Sequence, residues 1–288
     1  ATAKSDAPVL LKSTAGATIA INGSPYTVGS SGYIGLKEVP SELTVSSDDI
    51  EEILIDKAPM PWVKTASFIS ATVGSRKNLK VNLSSLTGVE TFTLSGYKVP
   101  ELDLTPLKEL KILTLGDDKK ISAVKKVKLA TDNKITRLTS SSPFSNEDLD
   151  LSKLKALQYA VFYSPRFTSV SFPNSPLLET LAIIRPAAKQ EFELVLTSNP
   201  NLKDITLAGV HISNLNIEGV NRADLFKDSK PVLHVKTLRL VGLNKGAVTA
   251  LINMLNKSTL TSATLPGYGF SVGQDPLVGF TNLTTTNL

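Results

Sequence analysis

A short alternating pattern returns eight times along this 288-residue chain, at intervals of 21 to 25 residues. Its copies are Lys80-Val81-Asn82-Leu83, Glu101-Leu102-Asp103-Leu104, Lys126-Val127-Lys128-Leu129 and Asp148-Leu149-Asp150-Leu151, then Ser169-Val170-Ser171-Phe172, Glu193-Leu194-Val195-Leu196, Asn214-Leu215-Asn216-Ile217 and Thr237-Leu238-Arg239-Leu240. A second series runs half a period away and closes at Leu94, Leu115, Leu138, Val161, Ile183 and Leu207. Alternation at period two turns apolar residues inward and polar ones outward on a strand. Each turn of the chain therefore offers two short strands, with Thr105-Pro106, Pro173-Asn174, Asn199-Pro200, Gly209 and Gly219 as corners between them. One such turn cannot bury its own apolar face, but stacked turns share a core. A large sandwich of hairpins is the competing arrangement, and the two-residue Asn-Gly turns it favours are missing from the repeat region.

The stretches Leu202-Lys-Asp-Ile205-Thr-Leu207 and Ile212-Ser-Asn-Leu215-Asn-Ile217 follow an L-x-x-L-x-L pattern. They resemble the leucine-rich-repeat family, and most of all the irregular repeats of its bacterial cell-surface and secreted members. The resemblance covers residues 49–265. It implies a β-rich α/β solenoid, right-handed, of about 8–9 coils of roughly 22 residues with short parallel strands on both sides. It also implies protein binding through exposed strand residues. The asparagine usual in the family after Leu-x-Leu is mostly replaced, by Leu86, Leu107, Leu154, Val220 and Leu243. A parallel β-helix obeys the same physical logic and remains open.

The ends read differently. Within residues 1–48, Ala17-Thr-Ile19-Ala-Ile21 alternates, Asn22-Gly23 signals a hairpin, and short strands follow at Tyr26, Tyr33 and Leu43. This predicts a small N-terminal β cap or module, needed because an open solenoid end exposes core and unpaired edges. Ala1–Pro8 reads as a flexible leader, and the chain starts at Ala1 without a signal peptide, so a lipid anchor lost from the N-terminus is an expectation. Residues 247–256 suit a helix with Leu251, Met254 and Leu255 on one side. Residues 266–288 read as a C-terminal cap or loose tail.

Composition removes several chemistries. Cysteine is absent, which excludes disulfides, thiolate catalysis and Cys-based zinc sites. The net charge of +5 is mild and spread out, and Lys119, Lys120, Lys125, Lys126 and Lys128 follow Asp117 and Asp118, so no dedicated nucleic-acid face is expected. No apolar run approaches the roughly 20 residues of a membrane span. No G-x-S-x-G elbow, P-loop or dinucleotide glycine motif occurs. His211 and His234 lie one repeat apart and read as equivalent turn positions rather than metal ligands. No cofactor or metal is expected.

Outward carboxylates deserve weighing, because solenoid enzymes that cut polysaccharides use such residues. Glu101 and Asp103 form one pair and Asp148 and Asp150 another, but Lys80, and Lys126 with Lys128, alternate with them coil by coil. Opposite charges on neighbouring strands stabilise the stack and lower carboxylate pKa values, the wrong direction for a general acid. The residues thus read as a structural ladder. Candidate contact residues are this ladder, the polar row Asn214, Asn216 and Arg239, and the cluster Tyr159, Phe162, Tyr163, Arg166 and Phe167, because aromatics and arginine anchor interfaces.

The expectation is a non-catalytic extracytoplasmic scaffold, a bacterial surface or secreted protein, that binds a protein or glycan through a strand face. A spacer and a polysaccharide-active β-helix enzyme are the alternatives.

Overall fold

A computed structural model describes residues 5–70, 78–185, 189–270 and 275–288. Of the leader, residues 1–4, and of the C-terminal stretch, residues 271–274, lie outside the described residues. The chain is a parallel-strand β-solenoid of about 10 turns, with almost no helix. It packs as two compact units, Ala1–Leu149 and Asp150–Leu288.

In the first unit, one sheet runs in the order Ser24–Thr27, Thr18–Ile21, Glu42–Ser46, Thr65–Ile69, Thr91–Ser95, Ile112–Leu115 and Arg137–Ser140. The opposite side is discontinuous. Tyr33–Leu36, Val9–Ser13, Ile50–Leu54 and Lys80–Asn82 form a four-stranded sheet, whereas Lys98–Val99 pairs only with Ala123–Val124, and Leu102–Asp103 only with Val127–Lys128. Among the described residues, antiparallel pairing is confined to the N-terminal strands, and parallel pairing begins with Glu42–Ser46 against Thr65–Ile69. In the second unit, Tyr159–Tyr163, Thr180–Ile184 and Asp204–Ala208 line one side. The other side stacks Ser169–Ser171, Glu191–Leu196, His211–Glu218, His234–Val241, Ser262–Thr264 and Thr285–Asn287. Parallel pairing thus continues to Asn287, well into the stretch expected as a cap or tail.

The corners explain why the pattern reads as it does. In one coil the amide of Leu107 donates to Leu104 and that of Leu110 to Leu107, at 3.0 and 3.2 Å. These are i to i+3 turns, so an inward residue recurs every third position between the two strands. Leu83 and Leu86 repeat the arrangement, as do Leu151, Leu154 and Leu157. In two of the later coils the middle inward position is polar. Ser175 Oγ donates to the Leu154 carbonyl at 2.5 Å, and Asn199 Nδ2 donates to the carbonyls of Phe172 and Ser175, both at 2.9 Å. A buried corner carbonyl needs a donor, and these side chains supply it from the next coil.

The closing residues of the first series, Leu83, Leu104 and Leu129 in one unit and Leu151, Phe172, Leu196, Ile217 and Leu240 in the other, are all buried. The second series needs correction. Leu94 stacks on Leu115, but the next residue in that column is the buried Ser140, while Leu138 stacks on Leu113. Likewise Ile183 stacks on Phe162, not on Val161. Column membership follows ladder register, and a serine can close a column when its hydroxyl finds a partner. Ser140 Oγ accepts from the Ser142 amide at 3.0 Å. The helix spans Lys245–Asn253, is capped by the Asn244 side chain, and buries Ala247, Val248, Leu251 and Ile252, so Met254 lies at its C-cap rather than on its packed face. No helix among the described residues is long and apolar enough to cross a membrane.

Tyr97 ties three coils of the first unit together. Its ring is buried and its hydroxyl donates to the Ser47 carbonyl at 2.5 Å, with the Ile69 carbonyl at 3.4 Å. Burial, reinforced by the charges of Asp48 and Asp49, pushes its phenol well above the usual tyrosine range. Tyr97→Phe is expected to cost about 1–3 kcal/mol, because it leaves the Ser47 carbonyl buried without its donor. Urea unfolding of the variant beside wild type measures this.

Candidate binding cleft

Ion pairs do link neighbouring coils, but only one of them joins residues expected in the charge ladder. Each of several glutamates pairs with a lysine about one coil later. Glu90 meets Lys111 at 3.4 Å, Glu109 meets Lys134 at 2.7 Å, and Glu179 meets Lys203 at 3.1 Å. Of the residues expected in the ladder, Glu101 and Lys128 make this pair, at 2.6 Å. The hydrogen bond from Lys128, and then its charge, hold the Glu101 carboxyl below the ordinary glutamate range. Asp103 ends its strand in register with Lys128, but its Oδ1 turns to the next corner, accepting from the amide and the hydroxyl of Thr105 at 2.9 and 2.6 Å. Lys126 occupies a left-handed corner, with φ of 45°, and precedes the strand rather than joining it.

Asp148 and Asp150 are not rungs. Asp148 Oδ2 accepts from the Ser145 amide at 3.0 Å, and Asp150 caps the short helix Leu151–Lys153 through the amide and hydroxyl of Ser152. Acidic side chains beside a tight turn have unpaired amides within reach, and that local bond wins over an exposed cross-strand ion pair.

In the second unit Asn214 stacks on Thr237 and Asn216 on Arg239. Arg239 is occupied within its own sheet, donating to Asn216 Oδ1 at 3.1 Å and pairing closely with Glu218. The aromatic cluster divides. Phe162 and Phe167 are core residues in edge-to-face contact at 5.3 Å, whereas Tyr159 and Tyr163 are half-buried at the two ends of their strand. Arg166 is exposed, and its carbonyl accepts from Gln190 Nε2 at 3.0 Å.

What the structure brings together instead is a cleft of about 640 Å³ in the first unit, between the strand Lys80–Asn82 and the strand Leu102–Asp103. Asn78 bridges Lys98, and the Leu79 amide donates to the Lys98 carbonyl at 2.8 Å, so the two coils are joined at one end. Beyond that point the ladder stops. From Leu79 to Val81 one residue faces outward, but from the buried Val99 to the buried Leu102 two do, Pro100 and Glu101. The extra residue throws the second strand out of register, and Pro100 has no amide proton to resume it. Leu54, Leu79, Leu83 and Pro106 supply apolar lining; Glu52, Glu101, Asp103 and Lys80 supply charge.

Glu101 and Asp103 were therefore legible as candidates. Glu52 was not, because it belongs to the preceding coil and sits outside the alternating pattern; its register partner is Lys80. The cleft itself had one sequence signal, the extra residue with a proline before Glu101-Leu102.

His211 and His234 are equivalent positions, as expected, but they open neighbouring strands rather than lying in turns, and their rings stack face to face, 4.4 Å apart and 2° from parallel. Parallel rings do not converge their nitrogens on one ion, and among the described residues no group of three potential ligands gathers. Glu191 is in register with His211, Lys236 pairs with Glu191 at 2.5 Å, and His234 Nδ1 lies 3.2 Å from Thr259 Oγ1. Burial first, then the charges of His234 and Lys189, hold His211 below the usual histidine value of 6.5, against the opposing pull of Glu191. The unfolded chain then binds a proton at a higher pH than the folded one. Stability is flat above the unfolded value and is lost as pH falls from about 6.5 through the folded pKa. The expected result is a melting temperature that falls between pH 7 and pH 5.5, with a shallower fall in His211→Gln. Equal slopes in scanning calorimetry would contradict it.

Asp204 lies beside Asp228, and its carboxyl is raised above the ordinary aspartate range, chiefly by burial and then by that neighbouring charge. Thr206 Oγ1 donates to it at 3.4 Å.

No protein-family model matches the chain, and no curated protein matches it.

Proposed function

We propose that the chain is a non-catalytic repeat scaffold that binds a partner in the cleft between Lys80–Asn82 and Leu102–Asp103. The observation that carries this reading is that the sheet opens there, and that the Glu101 carboxylate facing the opening is clamped by Lys128. A glycosidase needs a carboxylic acid that keeps its proton until the leaving group takes it. The Lys128 ammonium pushes Glu101 the other way. A bare spacer, in turn, has no use for an interrupted ladder, whose unpaired edges are a liability that continuous stacking removes.

Kinship with leucine-rich repeats accompanies the proposal. The stretch Leu194-x-Leu196-x-x-Asn199 carries the asparagine usual in that family, and Asn199 bonds two carbonyls of the preceding coil. That resemblance supports an extracytoplasmic site of action, on a bacterial surface or in secreted form.

The test is a titration of the isotope-labelled protein, followed by amide resonances, with cellohexaose, hexagalacturonate and short peptides. Shifts confined to Leu79–Ser84 and Pro100–Thr105, from a probe recovered intact, support a binding scaffold. Shortening of either oligosaccharide makes the chain an enzyme and overturns the reading.

A further inference from the structure

We infer that a corner of the Ala1–Leu149 unit docks the protein on an anionic lipid surface, through Ile121 and the lysines around it; the cleft is not needed for this. The coil that carries these residues is longer than its neighbour. Val99 lies five positions after Leu94, but its register partner Val124 lies nine after Leu115, the partner of Leu94. The four surplus residues form a surface loop that hydrogen bonds hold in one shape. The Asp117 amide donates to the Lys120 carbonyl at 3.0 Å, and Asp117 Oδ1 accepts from the amides of Lys119 and Lys120 at 2.9 and 2.7 Å. At the root of the loop, Ser141 Oγ donates to the Lys120 carbonyl at 3.2 Å and accepts from the amide of the buried Ser122 at 3.1 Å. Ile121 lies between these anchors and is still 55% exposed. Insertions on single coils of repeat proteins often form the contact face, and a loop already fixed loses little freedom on docking.

Alternation surrounds that side chain with ammonium groups. Ser122 and Val124 are buried, so Ile121, Ala123 and Lys125 turn outward in a row of at most about 13 Å, with Lys98 beside Ala123 on the adjoining strand. Lys119 and Lys120 precede the row and Lys126 follows it. Among the described residues none of these five lysines makes an ion pair, whereas Lys128 is taken by Glu101. Of the loop's two carboxylates, Asp117 is bound to the loop amides and Asp118 is exposed. Five ammonium groups against two carboxylates draw an anionic partner. No arginine or aromatic ring stands in the row to grip a phosphate bidentately or to stack a base, so a nucleic acid finds little to hold. Lysines are flexible point charges that suit a layer of headgroups, and an aliphatic side chain in their midst reaches the acyl boundary while they stay hydrated.

The test is co-sedimentation of the whole chain with vesicles of phosphatidylcholine, pure or with one lipid in three replaced by phosphatidylglycerol. Binding is expected to the anionic vesicles alone, and to weaken several-fold as salt rises from about 0.05 to 0.5 M. Lys119→Gln with Lys125→Gln is expected to weaken it about 10-fold or more, because each lysine near the surface is worth several-fold. Ile121→Ser leaves every charge in place and is expected to weaken it several-fold as well. The control Lys57→Gln with Lys64→Gln removes the same charge from exposed positions elsewhere in the unit and is expected to keep most of the binding. Circular dichroism melts establish that each variant is folded. The inference is overturned by a lack of binding to anionic vesicles, by equal binding to neutral ones, or by equal losses in the two lysine pairs. Unchanged binding of Ile121→Ser overturns the apolar contact and with it the lipid. Tighter binding of a single-stranded oligonucleotide than of vesicles, lost in the Lys119 and Lys125 pair, assigns the patch to nucleic acid instead.

Discussion

Gly88→Ala is expected to destabilise the Ala1–Leu149 unit severely. A Cβ on Gly88 would fall inside van der Waals contact of the Pro61 carbonyl group and its Cα, all backbone atoms that no rotamer change can clear. The Pro61 segment has little freedom to retreat. On one side the Met60 amide donates to the Ser85 carbonyl at 2.8 Å, and on the other the Trp62 indole donates to the Val39 carbonyl at 2.8 Å. Overpacking of this kind costs about 3 kcal/mol or more, a large part of the 5–15 kcal/mol that holds a typical domain together. Thermal unfolding followed by circular dichroism measures it. The control is Gly219→Ala, where φ is +73° but nothing lies within 4 Å of the new Cβ. There the cost is left-handed backbone strain alone, about 1–2 kcal/mol. If the two variants melt alike, the close approach at Pro61 does not constrain the fold.

Phe68→Ala is expected to cost about 3–5 kcal/mol, the range for deleting a buried ring and leaving its cavity. Phe68 has no exposed surface and stands in the column Val45, Phe68, Leu94, Leu115. Its ring centroid is 6.1 Å from that of Phe92 in the adjoining column. Coils above and below are fixed by their ladders, so the gap cannot close by collapse of either neighbour. Denaturant unfolding should show a lower midpoint at unchanged slope. Ser67→Ala, one residue away on the outward side, should stay within about 0.5 kcal/mol of wild type. A ring deletion no worse than that would mean the column is not the core.

The acidic pair Asp204 and Asp228 shows how register makes electrostatics that spacing alone hides. The residues are 24 positions apart and unremarkable in sequence. Folding part-buries Asp204 and sets it against Asp228, and burial first, then that charge, raise the Asp204 carboxyl. A raised folded pKa means stability that is present at low pH and lost as pH rises through it. Asp204→Asn is accordingly expected to raise the melting temperature at pH 7 and to do so less at pH 4.

Period-two alternation and a recurrence of 21 to 25 residues were enough to specify a stacked parallel solenoid, because only neighbours of the same register can bury those columns. The same arithmetic located His211 over His234 and Glu101 beside the coil of Lys128. It went astray where a local bond competes with the ladder. Asp148 and Asp150 turn to nearby amides, and Ser140 fills a column position that hydrophobicity assigned to Leu138. It also stopped short of the cleft. Pattern determines which residues face inward in each coil, a property of single strands and their corners. Whether two adjacent coils then bond depends on one surplus residue and one missing amide proton at Pro100, and that mismatch exists only between coils, in the tertiary structure that sets them side by side.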